Sequence, residues 1–272
     1  MFLVLRFGWR SAFIVPGALG LVWLVVWMAI YRIPSEHRGT TADDLKQLDD
    51  MEADSAAATP WFSLLKERKV LGLVLARLVS DPVWQFCAFY IPAYLSTARG
   101  FSLADIGKYA WIPSLAGAIG GMTGGRVSDI LIKRGFQPVK ARSLILYVSA
   151  AIAPLGILTT QVHSSAMAIA MMCVMAFVAY SWFIVTAAMI PDLVSSKVVG
   201  SVLGFVGTAG SCGGALFSLL IGYLLTRWSY GPVFAIAGSM HVCGALILWA
   251  MLRDKAITTI ESEVCVGGQA RQ

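Results

Sequence analysis

The chain has 272 residues, of which 58% are hydrophobic and only 13% charged, whereas soluble domains carry about 25% charge. That deficit argues against a water-soluble globular domain and makes lipid the expected solvent. The net charge of +6 invites a nucleic-acid reading, but basic loop residues that set membrane topology account for it, and no nucleic-acid partner is expected.

Seven apolar runs approach the roughly 20 residues that cross a bilayer: about 11–31, 70–95, 109–125, 143–159, 165–190, 199–226 and 232–252. The ten-residue alternation of a membrane barrel is missing. The fold class predicted is therefore all-α: a polytopic membrane protein with about seven transmembrane helices.

The chain opens on "MFLVLRF", too short to span and without the small-residue cleavage site of a signal peptide. It reads as the tail of an earlier segment, with the first full span after it. Residues 32–69 form the long polar segment. Its middle, "TADDLKQLDDMEADSAAATP", is acidic and then Ala-rich, and reads as a solvated linker. Thr41 with Asp44 matches a weak helix-start signal. The following "PWFSLLKERKV" reads as amphipathic, with Trp61, Phe62, Leu64 and Leu65 at the interface and Lys66, Arg68 and Lys69 toward anionic headgroups. Placing this loop in the cytoplasm puts 15 of the 21 Lys and Arg residues inside, 5 outside and Arg77 within a span. That bias predicts a cytoplasmic C-terminus.

The span at 70–95 contains "ARLVSDPVWQ". Arg77 falls about 10 Å and Asp81 about 16 Å from its start at 1.5 Å per residue. Positions 77, 81 and 85 share one helix face, so Arg77, Asp81 and Gln85 stand together. Pro82 favours a kink beside Asp81. Charges at this depth face a cavity or a partner. An internal ion pair, contact with an anion by Arg77, and contact with another segment or chain all stay open. Tyr90 is ambiguous between cavity and interfacial belt.

The next span carries Gly117, Gly121 and Gly125. A later one carries Gly200 with Gly204 and Gly210 with Gly214, spacings that bring helix backbones close. Between spans lies "GGRVSDILIKRG". Spacing alone reads it as a tight cytoplasmic turn: Gly125 allows close contact, Asp129 accepts from helix N–H groups or pairs with a nearby arginine, and Lys133 and Arg134 hold the loop inside. Farther on, "AYSWFIVTAAMIPD" sets Tyr180, Ser181, Trp182 and Thr186 in mid-span, where Trp182 either stacks on a ligand or packs in the core. Cys87, Cys173, Cys212 and Cys243 lie within spans and read as packing residues. Their spacing, and that of His37, His163 and His241, forms no metal site, and no cofactor is expected.

The glycine–x₃–aspartate–basic pattern of Gly125, Asp129, Lys133 and Arg134 resembles the loop signature of the major facilitator superfamily, with Ile130 where a base is usual. "FGWRSAFIVPGALGLVW", "ARLVSDPVW", "RGFSLADIGKYAWIP" and "SYGPVFAIAG" are similar to its anion:cation symporter branch of hexuronate, galactonate and sialic-acid carriers. The resemblance implies four segments. Residues 1–31 end an N-terminal bundle, 32–69 form the cytoplasmic linker, 70–252 form a C-terminal six-helix bundle, and 253–272 are a cytoplasmic tail. It implies no enzyme but a secondary carrier in the inner (plasma) membrane, here without helices one to five. Its substrate would be a small organic anion such as a hexuronate, coupled to H⁺, with a missing N-terminal bundle as partner. Arg77, Asp81, Gln85, Tyr90 and Trp182 would be the substrate residues, and Gly125, Asp129, Lys133 and Arg134 the conformational motif. Val185 stands where that branch often has asparagine. A non-transporting fragment that packs against another half is the alternative, and a channel or receptor the second.

Overall fold

The computed structural model describes residues 2–32 and 61–252. The acidic linker, the helix start expected at Thr41, Cys265 and the tail lie outside the described residues. Among the described residues the chain is helical, with no strand. It divides into two units: one holds 2–32 and 92–111, the other 61–91 and 112–252.

In the first unit, α1 (Phe2–Phe7) is followed by α2 (Ser11–Ile30), a 20-residue helix with no buried residue. The same unit contains most of α5 (Ile91–Arg99) and α6 (Leu103–Tyr109). Ser102 starts α6 with a capping box: its hydroxyl accepts from the Asp105 N–H at 3.2 Å, and Asp105 accepts from the Ser102 N–H at 3.2 Å. Bonding to Ser102 holds the Asp105 carboxyl below its ordinary value.

The second unit is a helix bundle. It runs α3 (Trp61–Leu64), α4 (Arg68–Phe89), α7 (Trp111–Lys133), α8 (Pro138–Ile152), a 3₁₀ segment (Ala153–Thr160), α9 (Ser165–Leu193), α10 (Val199–Arg227) and α11 (Tyr230–Leu252). The switch to 3₁₀ follows from Pro154, which lacks the N–H that an α-helix needs there and crowds the preceding turn. Helix α4 is central and packs against α9, α10 and α11. Its Val70 and Leu73 join Leu146, Trp182, Met189, Val206 and Leu248 of the surrounding helices in the buried core.

Among the described residues, six helical stretches are long and apolar enough to cross a membrane: Ser11–Ile30, Arg68–Phe89, Pro138–Thr160, Ser165–Leu193, Ser196–Arg227 and Tyr230–Leu252. The seventh expected span falls on α7. At 23 residues it is long enough, but it is not among the stretches apolar enough to qualify.

Three sequence expectations change. The turn expected at 124–135 is helical through Lys133, and the chain reverses at Gly135, whose φ of +95° is a conformation glycine adopts without strain. Leu64, expected at the membrane interface, is buried in the bundle core. Cys87 is buried, but Cys212 and Cys243 are exposed and do not pack the interior.

Candidate functional site

Helix α4 carries the charges. Arg77 and Asp81 are 4% and 3% exposed, and Arg77 Nε lies 2.7 Å from Asp81 Oδ2. That separation makes an ion pair, although the Nε–H is not aligned for a hydrogen bond. The other end of the guanidinium reaches α9: Nη1 donates to the Phe183 carbonyl at 2.8 Å and to Thr186 Oγ1 at 2.9 Å. The Thr186 hydroxyl donates to the Trp182 carbonyl at 2.7 Å, which orients its oxygen as an acceptor for Arg77. The guanidinium also lies 4.3 Å from the Phe183 ring centroid, a cation–π contact. Trp84 meets Phe183 and Tyr180 at ring distances of 5.1 and 6.1 Å. The pair thus bridges α4 and α9 within an aromatic frame. Asp81 Oδ1 is buried with no hydrogen-bond partner, so the carboxylate keeps one unused acceptor.

The opposite wall is α10. Gly210 packs against the Asp81 carboxylate and Gly214 against the Gln85 amide. Gln85 Nε2 donates to the Gly210 carbonyl at 3.3 Å. Pro82 has no N–H for the Leu78 carbonyl, and it is against that carbonyl that Gly213 of α10 packs. A side chain at 213 would hold the helices apart. Helix α4 continues through Pro82 from Arg68 to Phe89, so the sequence that disturbs its hydrogen bonding also marks a close backbone contact with α10.

The other expected site residues lie elsewhere. Tyr90 stacks on Phe86, with centroids 5.9 Å apart. Trp182 is 1% exposed in the core, edge-on to His241 at 5.1 Å. Arg77, Asp81 and Gln85 are therefore brought together on one wall, while the rings of Tyr90 and Trp182 are engaged with Phe86 and His241.

A second polar cluster lies where α7, α8 and α9 meet. Arg142 Nε pairs with Asp192, its Nη1 lies 3.9 Å from Asp129 Oδ1, and the same nitrogen donates to Ser128 Oγ at 3.4 Å. Ser128 in turn donates to the Gly125 carbonyl at 2.7 Å. Asp129 thus lies at ion-pair distance from Arg142, one of the two kinds of partner its position allows. Gly125 faces Ile184, and Lys133 and Arg134 are exposed at the helix end. Sequence reasoning counted Arg142 only as a loop charge. The missed signal was topological: consecutive antiparallel spans put an arginine at the start of one and an aspartate at the end of the next on the same membrane face.

Apolar helices long enough to cross a membrane, packed around a buried arginine–carboxylate pair, define a multi-pass helical membrane protein. The chain belongs to the Major Facilitator Superfamily, whose model matches residues 1–186. It is 25% identical to the hexuronate transporter of Escherichia coli (strain K12), covering 96% of this chain and 62% of that protein. It is 29% identical to the probable sulfoacetate transporter SauU of Cupriavidus necator, covering 97% of this chain and 62% of the relative. For the probable galactarate/D-glucarate transporter GarP of Escherichia coli (strain K12) the identity is 28%, over 90% of this chain and 57% of the relative. The chain thus spans about three fifths of the length of these curated relatives.

Proposed function

We propose that this chain supplies the second helix bundle of a secondary carrier for organic anions, sugar acids such as hexuronates, in the inner (plasma) membrane. Transport proceeds by alternating access and is coupled to H⁺. The observation that carries the reading is Arg77: a guanidinium held inside a span, on a helix that bends its own hydrogen bonding around Pro82. The relatives named for hexuronate, sulfoacetate and galactarate share one chemical feature, a small anionic cargo. A guanidinium binds a carboxylate through two parallel hydrogen bonds. In this reading Asp81 occupies Arg77 while the site is empty and releases it to the substrate. Arg142 and its partners Asp129 and Asp192 tie the bundle at one face while the two halves of the carrier rock. The loop at 32–69 and the C-terminus are cytoplasmic.

The test is uptake into proteoliposomes by the carrier completed to the length of its relatives. Saturable uptake of glucuronate, galacturonate or galactonate, competed by other sugar acids and not by glucose, is expected. Inward uptake should grow when the outside is made acidic and collapse with a protonophore. Uptake of neutral sugars alone would refute the anion reading, and indifference to the protonophore would refute H⁺ coupling.

A second reading has a specific observation behind it. Arg77 spends its Nη1 on Phe183 and Thr186, which makes it a clip between α4 and α9. Replacing a purely structural buried pair by apolar residues is often neutral or stabilising, so paired substitution separates the two readings.

A further inference from the structure

Away from the charged core, α8 and α11 leave a groove of about 390 Å³ between them. Tyr147, Ala150 and Ala151 form one wall, and Ala245, Leu246 and Trp249 the other. The small alanines, two on one wall and one on the other, leave the space between the helices. The lining is apolar, and Leu246 and Trp249 are 60% and 49% exposed. Both helices belong to stretches fit to span a membrane, so the groove opens to hydrocarbon rather than to water.

One end of the groove differs from the other. Trp249 lies in the last turn of α11, which ends at Leu252, the level where aromatic side chains meet the headgroup region. Lys140, exposed near the start of α8, precedes Tyr147 by seven residues. That is two turns along the same face, about 10 Å toward the helix end. At the same end Arg68 Nη2 donates to the Ala250 carbonyl at 2.6 Å, beside Trp249. An apolar trough, an aromatic rim and two cations beyond the rim follow one another along the bundle surface.

We infer that this groove is a binding site for one anionic phospholipid. An acyl chain lies between Ala151 and Leu246, and the phosphate faces Lys140 and Arg68. The charge order along the groove selects a lipid with a net negative headgroup over a zwitterionic one, since a basic side chain near the membrane surface attracts anionic lipid. This site is independent of the substrate reading.

Native mass spectrometry of the purified chain, released from detergent with phosphatidylglycerol or phosphatidylcholine of identical acyl chains, tests it. The wild type should retain one phosphatidylglycerol about fivefold better than phosphatidylcholine. Lys140→Glu should abolish that preference while leaving phosphatidylcholine retention unchanged. Ala151→Trp and Leu246→Trp fill the groove from opposite walls at exposed positions, and each should lower retention of both lipids. Circular dichroism checks each variant, and if one misfolds the other decides. Equal retention of the two lipids by the wild type, a preference that survives Lys140→Glu, or undiminished retention in the folded groove-filling variant overturns the site.

Discussion

Arg142 gathers three oxygens from two helices besides its own, and those contacts differ in quality. Asp192 is largely enclosed and directly paired, whereas Asp129 is well exposed at 3.9 Å. Exposed pairs contribute little and enclosed, hydrogen-bonded ones more. Arg142→Ala should therefore lower the thermal midpoint of the detergent-solubilised protein by several degrees, corresponding to about 1.5–3 kcal/mol. Asp129→Ala should move it by less than a degree or two. Equal effects would show that the two carboxylates share the arginine evenly. Arg142→Lys should rescue only part of the loss, because one ammonium cannot hold Asp192 and Ser128 from separate nitrogens. The sequence made the Arg77–Asp81 pair legible because both members lie on one helix, four residues apart. The Arg142–Asp192 pair joins residues fifty positions apart, a distance that periodicity within one helix does not reach.

At the scale of the helix, glycine spacing marked the helices that pack closely but not which glycines do the packing. Gly213 sits against the Leu78 carbonyl and Gly120 against the backbone of Phe177, whereas Gly200 and Gly204 have open space where a Cβ would go. Gly210 and Gly214 share the four-residue spacing of Gly200 and Gly204 yet pack against Asp81 and Gln85; the difference comes from where neighbouring helices lie, which the sequence does not encode locally. Gly213→Ala should accordingly destabilise the bundle by about 1–3 kcal/mol through overpacking. Gly204→Ala should be neutral or slightly stabilising, since alanine lowers the entropy lost in forming a helix. Thermal unfolding followed by circular dichroism compares the two, and a loss at 204 that matches the loss at 213 would contradict the assigned faces. The helix α7 carries a related lesson. Its charged end read as a turn because Arg126, Asp129 and Lys133 interrupt the apolar pattern, yet all three are compatible with a helix whose last turns lie outside the hydrocarbon.

For the molecule as a whole, hydropathy made the all-helical, membrane-spanning class legible, because every backbone group in a bilayer must be bonded within its own segment. The orientation rests on the distribution of basic residues alone. Cysteine introduced at Ser164, in the link between the 3₁₀ segment and α9, should react with a membrane-impermeant reagent from outside the cell, and cysteine at Lys140 should not; the reverse pattern would invert the topology. The central claim concerns the charge within the span: Arg77 receives the carboxylate of the cargo. Binding of galactonate or glucuronate to the completed carrier, by titration calorimetry on the wild type, Arg77→Lys and the double variant Arg77→Leu/Asp81→Leu, tests it most directly. The account predicts at least about tenfold weaker binding for Arg77→Lys, and a double variant that folds and inserts normally but binds no anion. A double variant that binds with unchanged affinity would contradict it and leave the pair as a packing device between α4 and α9.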